Sequence, residues 1–170
     1  MTSIERLRSA GVRNEIIFEL FGVPPPDFLR DIDRCVKHWS LEFSPESHDQ
    51  AVRDAQEGEG DYTTEAMEEM LKEALRLRCE RLDVFFMIGL PAQTIDSVRA
   101  TVDYCEHLFG LGDARLSCYI SPMGPFLDPG SRGFENPEEH GYHLFARTLE
   151  EHRRLLVAPS WKYVLNYETR

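Results

Sequence analysis

Two patterns of apolar and polar residues alternate along the chain: short apolar runs and amphipathic segments of helical period. The clearest run lies within DVFFMIGLPAQT, residues 83–94, where apolar residues lead into a Gly-Leu-Pro turn. A strand covered on both faces is apolar throughout, whereas a strand with one wet face alternates. The run therefore predicts a central parallel strand, with Thr94 capping the helix that follows.

The same patterns predict an alternation of strands and helices over the whole chain. Strands are predicted at residues 14–20, 39–45, 84–90 and 114–121, helices at 3–10, 27–38, 48–56, 64–79, 94–109 and 142–157, a Pro/Gly-rich loop at 121–141, and a short edge strand in the tail after 160. Four helices have predicted apolar faces. Two of these faces are formed by Ile95, Val98, Val102, Cys105 and Phe109, and by Phe145, Leu149, Leu155 and Leu156; the other two are formed by Phe28, Leu29, Ile32, Cys35 and Val36, and by Met67, Met70, Leu71, Ala74 and Leu75. Alternation at this spacing requires right-handed crossovers and a mainly parallel sheet.

These elements predict an α/β fold, a partial (β/α) TIM-like barrel formed by one domain over residues 1–170. Eight strands close a packed barrel, and four cannot. The chain also opens on a helix with no strand before it. We therefore expect a piece of a larger barrel, with exposed sheet edges through which it could associate with itself.

Composition excludes some classes of function. The chain has 170 residues, 42% of them hydrophobic, and a formal net charge of −11, which disfavours nucleic acid as a partner. No apolar stretch approaches the length of a membrane span, so we expect a cytoplasmic protein that does not bind membranes.

Cysteine and histidine spacings give no metal motif. Cys35, Cys79, Cys105 and Cys118 are far apart in sequence, so we expect reduced packing residues, with Cys79 and Cys105 on helices and Cys118 in a strand. His140 and His143 lie three residues apart at a predicted helix start, but two histidines without a third ligand favour a solvated helix end.

Polar residues within the predicted strands are candidates for a binding site. In LEFSPE, Leu41 and Phe43 share one face of the strand and Glu42 and Ser44 share the other. A carboxylate on an inner barrel face is costly unless it binds something, so Glu42 and Ser44 could hold hydroxyls or an amine of a ligand. The alternative is that Glu42 pairs with a neighbouring Lys or Arg. Glu19, an acid in the apolar stretch IIFEL, presents the same two alternatives.

The turn and loop that follow the later strands have two interpretations as well. Gly89 could allow a ligand to approach the backbone, or it could serve only the tight turn before Pro91. The segment SPMGPFLDPGS, residues 121–131, could frame the mouth of a barrel or be a plain connector.

Three segments in order resemble a known family: EFSPES at 42–47, FFMIGLPAQT at 85–94 and SPMGPFLDPGS at 121–131. They resemble the carboxyl-terminal half of the radical SAM barrel, in particular its cobalamin-associated branch, over most of the chain. The resemblance implies an enzyme in which a [4Fe-4S] cluster on CxxxCxxC cysteines reductively cleaves S-adenosylmethionine to a 5′-deoxyadenosyl radical.

The resemblance also implies roles for individual residues. Cofactor contacts would come from Glu42, Ser44 and Glu46 near the ribose or methionine end, and from Ile88, Gly89 and Leu90 beside the adenosyl part. Substrate contacts are expected from Glu19, Ser121 and Pro122. Gln93 stands where many relatives carry Glu, so any contact there would be neutral.

The chain departs from the family at its most specific motif. It contains no CxxxCxxC and no cobalamin-binding DxHxxG-like signature. We therefore expect either a fragment of a radical SAM enzyme, with an unknown small-molecule substrate and a cobalamin requirement left open, or a non-catalytic binding or scaffold module derived from a half barrel.

Overall fold

The computed structural model describes residues 3–55, 61–122, 127–157 and 166–169. Four strands form one sheet, in the order β1-β2-β3-β4, and every neighbouring pair is parallel. The strands are β1 (Ile16–Leu20), β2 (Trp39–Glu46), β3 (Cys79–Ile88) and β4 (Leu116–Pro122), and the helices around them are α1 (Ser3–Ser9), α2 (Phe28–Cys35), α3 (Gln50–Asp54), α4 (Thr64–Arg76) and α5 (Ile95–Phe109). The predicted parallel α/β sheet is confirmed.

Local sequence signals explain where several helices begin. The hydroxyl of Thr94 accepts a hydrogen bond from the backbone N–H of Ser97, as predicted, and Thr63 caps α4 through the N–H of Ala66 in the same way. These caps fix the positions at which the chain leaves each loop and returns along the sheet.

One face of the sheet forms the main core. Side chains of β2 and β3 alternate, and those that point to the helices are fully buried: Trp39, Leu41, Phe43, Leu82, Val84 and Phe86. They pack with residues of α2 and α4, among them Ile32, Met67, Leu71 and Ala74. Burial of this apolar surface is the main source of stability. The residues of β3 on the opposite face, Phe85 and Met87, are only partly buried, so β3 is less covered than its apolar run predicts.

The other face of the sheet is only partly covered: Ile17, Glu19, Arg81, Tyr119 and Ser121 are exposed, whereas Ser40, Ser44 and Asp83 are buried. We call it the open face; it consists of Ile17, Glu19, Ser40, Glu42, Ser44, Arg81, Asp83, Phe85, Met87, Ser117, Tyr119 and Ser121. Ile17 and Tyr119 are 49% and 46% exposed. Tyr119 stacks on Phe85, with 4.9 Å between ring centroids. No described helix of the molecule covers Ile17 or Tyr119 from this side.

The carboxyl-terminal part forms a second, smaller unit of structure. It contains α6 (Arg132–Glu135), β5 (Tyr142–Leu144), α7 (Leu149–Leu156) and β6 (Tyr167–Thr169), and β5 and β6 pair antiparallel. The buried side chain of Asn166 bonds both backbone groups of Leu127. Tyr142 joins this unit to the main sheet, because its hydroxyl donates to the carbonyl of Gly89 at 3.2 Å.

The helix predicted over 142–157 is wrong in its first half, since Tyr142 begins a strand and α7 starts only at Leu149. A capping box explains this start: Thr148 accepts from the N–H of Glu151, whose carboxylate accepts from the N–H of Thr148. His143 therefore lies in β5, not at a helix start. Phe145, Leu149 and Leu156, predicted to be buried, are exposed.

Other element boundaries and buried faces also differ from those predicted. In α5 the buried residues are Thr101, Cys105 and Leu108. The prediction placed Ile95, Val102 and Phe109 on the buried face as well, but their exposed fractions are 65%, 49% and 51%. Cys79 opens β3 because α4 already ends at Arg76. Strand β2 continues past Pro45 to Glu46. The predicted tail strand appears as β6, while residues 158–165 and 170 lie outside the described part.

Within the described ranges, no helix combines the length and the apolar character that crossing a membrane requires.

Candidate binding site on the open face and at the strand ends

The structure places the predicted site residues on one sheet, in two groups. Glu19 and Glu42 lie in the middle of the open face and are register partners on β1 and β2. The others lie at the carboxyl ends of the strands: Ser44 and Glu46 on β2, Ile88, Gly89 and Leu90 at the end of β3, and Ser121 and Pro122 at the end of β4. Ser121 and Pro122 pair with Met87 and Ile88, which brings the ends of β3 and β4 together.

The end of β2 has an irregular backbone. The register with β3 shifts between Phe43 and Glu46, which marks a bulge. Glu46 adopts a φ of 62°, a left-handed conformation that is uncommon for a residue other than glycine. Bulges and such conformations concentrate beside functional sites, where they redirect a side chain.

The turn after β3 is closed by the side chain of Gln93. Its Oε1 accepts from the N–H of Gly89 at 2.8 Å and from that of Leu90 at 3.4 Å, and its Nε2 donates to the carbonyl of Met87. Gly89 has a φ of 97°, which requires glycine. Gly89 therefore serves the tight turn before Pro91, as one of the two interpretations predicted. The two amides at this position are already bonded within the chain.

Tyr142 brings the small sheet against this strand end. Its ring is buried and packs edge-on to Tyr167, with 5.3 Å between centroids. Burial raises the pKa of the Tyr142 hydroxyl, and the nearby Tyr167 and the carboxylate of Glu46 add to the increase. The hydroxyl therefore stays protonated and remains a donor to Gly89.

Two residues that the sequence analysis did not single out complete the middle of the open face. Asp83 is the register partner of Glu42, and Arg81 lies two positions earlier on the same face of β3. The Nη2 of Arg81 is 3.3 Å from Glu42 and its Nε is 3.0 Å from Asp83. The alternative that Glu42 pairs with a basic residue is thus confirmed. Strand alternation in the sequence places Arg81 and Asp83 on one face, but their contact with Glu42 depends on the register of β2 and β3.

Arg53 supports the segment that follows β2. Its side chain is 2% exposed and donates to the carbonyl groups of Ser47 and His48 and to the side chains of Gln50 and Thr64. A buried guanidinium with this many acceptors fixes the path of the backbone. It therefore holds the chain just beyond Glu46.

His48 lies in the same segment and packs on α5. Its ring stacks on Tyr104 at 5.4 Å, and Nδ1 is 3.0 Å from the hydroxyl of Thr101. Burial lowers the pKa of His48, opposed by Asp49 and assisted by Arg53. The ring is therefore neutral at physiological pH and has a packing role.

The cysteines do not fit a [4Fe-4S] cluster. Cys35 is on α2 and Cys79 begins β3, whereas Cys105 and Cys118 meet between α5 and β4. Burial raises the pKa of Cys79 to about 11 and, with the adjacent Cys105, that of Cys118 to about 12, so these thiols are poor ligands. Across the described residues, no three His, Cys, Asp or Glu side chains converge as a metal site would require.

Two surface crevices lie away from these residues. One, of about 370 Å³, lies between α2 and α4 and is lined by the Pro24–Pro25–Pro26 segment, Leu29, Met70 and Glu73. The other, of about 620 Å³, lies between α1 and α2, beside Arg8 and Arg34. Both are on the helical side, so neither overlaps the open face or the strand ends.

Comparison with protein families, with curated proteins and with solved structures gives no match to this chain.

Proposed function

We propose that the chain forms the carboxyl-terminal half of a radical SAM-like (β/α) barrel and that the ends of β2 and β3 bind S-adenosylmethionine. The observation that carries the proposal is the bulge at Glu46, with its left-handed backbone, at the end of the inner strand β2, where Glu46 pairs with Phe86 three residues before the Gly89 turn. Ligands of parallel α/β sheets bind at the carboxyl ends of the strands, where these two features lie.

The residues present fit the organic cofactor in part. Ser44 and Glu46 offer a hydroxyl and a carboxylate for ribose hydroxyls or for the ammonium group of the methionine moiety. Because Gln93 already binds the amides of Gly89 and Leu90, contacts of the adenosyl part with this turn would use carbonyl oxygens and the side chain of Ile88. Bound S-adenosylmethionine would supply the adenosyl group for radical chemistry on an organic substrate.

The cluster has no ligand set among the described residues, so we derive no step through it. The contribution of this chain is to bind and orient. In this proposal Ser121 and Pro122, which pair with Met87 and Ile88, line the mouth of the barrel, and Glu19 and Glu42 line its interior.

Amide shifts in a heteronuclear NMR spectrum test the binding claim and detect weak affinity. On addition of millimolar S-adenosylmethionine we expect shifts of the amides of Ser44, Glu46, Ile88, Gly89 and Leu90. In the Glu46→Gln variant these shifts should need roughly tenfold more S-adenosylmethionine, whereas Glu69→Gln, at an exposed glutamate of α4, should respond as wild type does. An unchanged spectrum, or shifts only at the helical crevices, would refute the proposal.

The enzyme claim has a separate test, in the genomic sequence upstream of the codon for Met1. An open frame that continues through a CxxxCxxC motif supports the proposal. A ribosome-binding site directly before Met1, with stop codons upstream in frame, contradicts it.

A second candidate function is a scaffold module that docks another chain. The observation that favours it is the exposed apolar surface of the open face and of the residues near its edges, including Ile17, Phe21, Tyr119 and Ile120. In the described part of the chain, the outer edges of β1 and β4 also have no strand partner. Such edges and patches mark association surfaces. Sedimentation of the purified chain over a concentration series tests this candidate, and a monomer at every concentration counts against self-docking.

A further inference from the structure

Three carboxylates lie side by side across the middle of the open face. Glu19 pairs in register with Glu42, and Glu42 pairs in register with Asp83. Neighbouring strands are about 4.8 Å apart, so the three acids form a continuous row on one face. We call Glu19, Glu42 and Asp83 the acidic row.

A single guanidinium lies on this row. Arg81 is within ion-pair distance of Glu42 and Asp83, and among the described residues of the open face it is the only cation, against three carboxylates. Its side chain is 48% exposed, whereas those of Glu42 and Asp83 are 28% and 6% exposed. The cation is therefore the outer member of the group and can swing into solvent without disturbing the core.

The buried carboxylate of Asp83 has one oxygen atom that accepts no hydrogen bond from the described residues. Asp83 is 4% exposed, and its Oδ1 is buried with no hydrogen-bond partner among the residues that the structure describes. A buried carboxylate oxygen without a donor is unfavourable, and most such atoms in proteins are satisfied by a protein group, water or a ligand. Arg81 occupies only Oδ2, so a group with several N–H donors could satisfy Asp83 better than Arg81 does.

We propose that the acidic row binds the positively charged nitrogen group of a small-molecule substrate, a guanidinium or primary ammonium, and that Arg81 occupies its place when the substrate is absent. A planar guanidinium is the group that the site already holds, and paired carboxylates bind such a fork through charge-assisted hydrogen bonds. This inference rests on the proposed function, which assigns the cofactor to the strand ends and leaves the middle of the sheet to the substrate.

The two sites are separable along the strands. Asp83 precedes Gly89 by six residues, or about 20 Å of extended chain. On β2, by contrast, Glu42 precedes Ser44 by only two residues, so the amides of Asp83 and of Gly89 on β3 are the ones that distinguish a ligand at the acidic row from S-adenosylmethionine at the strand ends.

Methylguanidinium and methylurea are matched probes, since they have nearly the same shape and differ in charge. At constant ionic strength, methylguanidinium should shift the amides of Glu19, Glu42 and Asp83, and methylurea should not. In the Arg81→Ala variant the affinity for methylguanidinium should rise roughly tenfold, because the internal competitor is gone. Asp83→Asn should abolish the shifts, and Arg99→Ala, which breaks an exposed pair on α5, should leave them unchanged.

Equal affinity in wild type and Arg81→Ala, equal binding of the two probes, or shifts confined to other surfaces would overturn the inference. If Arg81→Ala does not fold, Arg81→Gln, which keeps the stem of the side chain, takes its place; if neither folds, the comparison of the two probes on wild type decides. If methylguanidinium fails these tests while S-adenosylmethionine still shifts the strand-end amides, only the substrate site is refuted. If methylguanidinium binds as expected and S-adenosylmethionine does not bind, only the cofactor site is refuted.

Discussion

Arg81 lies 3.0 Å from the carboxylate of Asp83, two positions further along the same strand, and this short pair joins a half-exposed cation to a buried carboxylate in the middle of the open face. A packed barrel core would place apolar side chains at such positions. The polar pair therefore indicates that this face meets solvent, a ligand or another chain.

The Arg81→Ala substitution should reduce the free energy of unfolding by about 1–2 kcal/mol, because it leaves the buried Asp83 carboxylate without its cation; the partial exposure of Arg81 keeps the loss below that of a fully buried pair. Urea unfolding measures the change. Arg99→Ala is the control, with an expected loss below about 0.5 kcal/mol. Equal losses in the two variants would show that the Arg81 pair has no special role.

The Gln93→Ala substitution should open the turn after β3. It removes the acceptor for the N–H groups of Gly89 and Leu90, so their hydrogen exchange should accelerate strongly, and stability should fall by about 1–2 kcal/mol. Arg99→Ala, which breaks an exposed ion pair on α5, should leave exchange at both amides unchanged. Protection that persists in Gln93→Ala would mean that the turn does not depend on this side chain.

The Tyr142→Phe substitution should weaken the attachment of the small sheet to the main one. It removes the hydrogen bond from the hydroxyl to the carbonyl of Gly89, for a loss of about 1 kcal/mol. Tyr119→Phe, on the exposed open face, should change stability by less than about 0.5 kcal/mol. The two thermal unfolding curves should therefore separate, and coincident curves would contradict the described contact.

His48 should make stability depend on pH in a defined direction. Burial lowers its pKa in the folded state, so the unfolded state binds the proton more readily. Its contribution is fully present above the unfolded pKa of about 6.5 and is lost as pH falls through the lower folded pKa. Melting temperatures of wild type and His48→Gln should converge as pH falls through this window. Parallel curves would refute this role.

The exposed sheet should lead to self-association, which a charge on the open face should prevent. Ile17, 49% exposed on β1, lies on that face, and Leu149, 88% exposed, lies on α7. In sedimentation experiments Ile17→Lys should shift the chain toward monomer, whereas Leu149→Lys should not. An equal response of both variants would indicate nonspecific aggregation.

The pattern of apolar and polar residues predicted the four strands of the main sheet, because each strand is bounded by strong turn signals and packs against helices. It failed where an element is short or lies at the surface. In residues 142–148, Gly141 has a φ of 73° and Thr148 forms a capping box, and these local features override the apolar residues that indicated a longer helix.

The candidate site was predictable only in part, for a related reason. Alternation along one strand places Glu42 on the polar face, but its partners on other strands depend on register, which no single segment specifies. Asp83 and Arg81 therefore emerged only once β2 and β3 were paired. The bulge at Glu46 and the bonds of Gln93 likewise depend on the assembled sheet.

Calorimetric titration of S-adenosylmethionine into wild type, Glu46→Gln and Glu69→Gln decides whether the strand ends bind this cofactor. We expect binding to wild type and to Glu69→Gln with similar affinity, and a loss of roughly tenfold in Glu46→Gln, because one charge-assisted contact is removed. Equal affinity in all three proteins, or no heat of binding to wild type, would contradict a cofactor site at the end of β2.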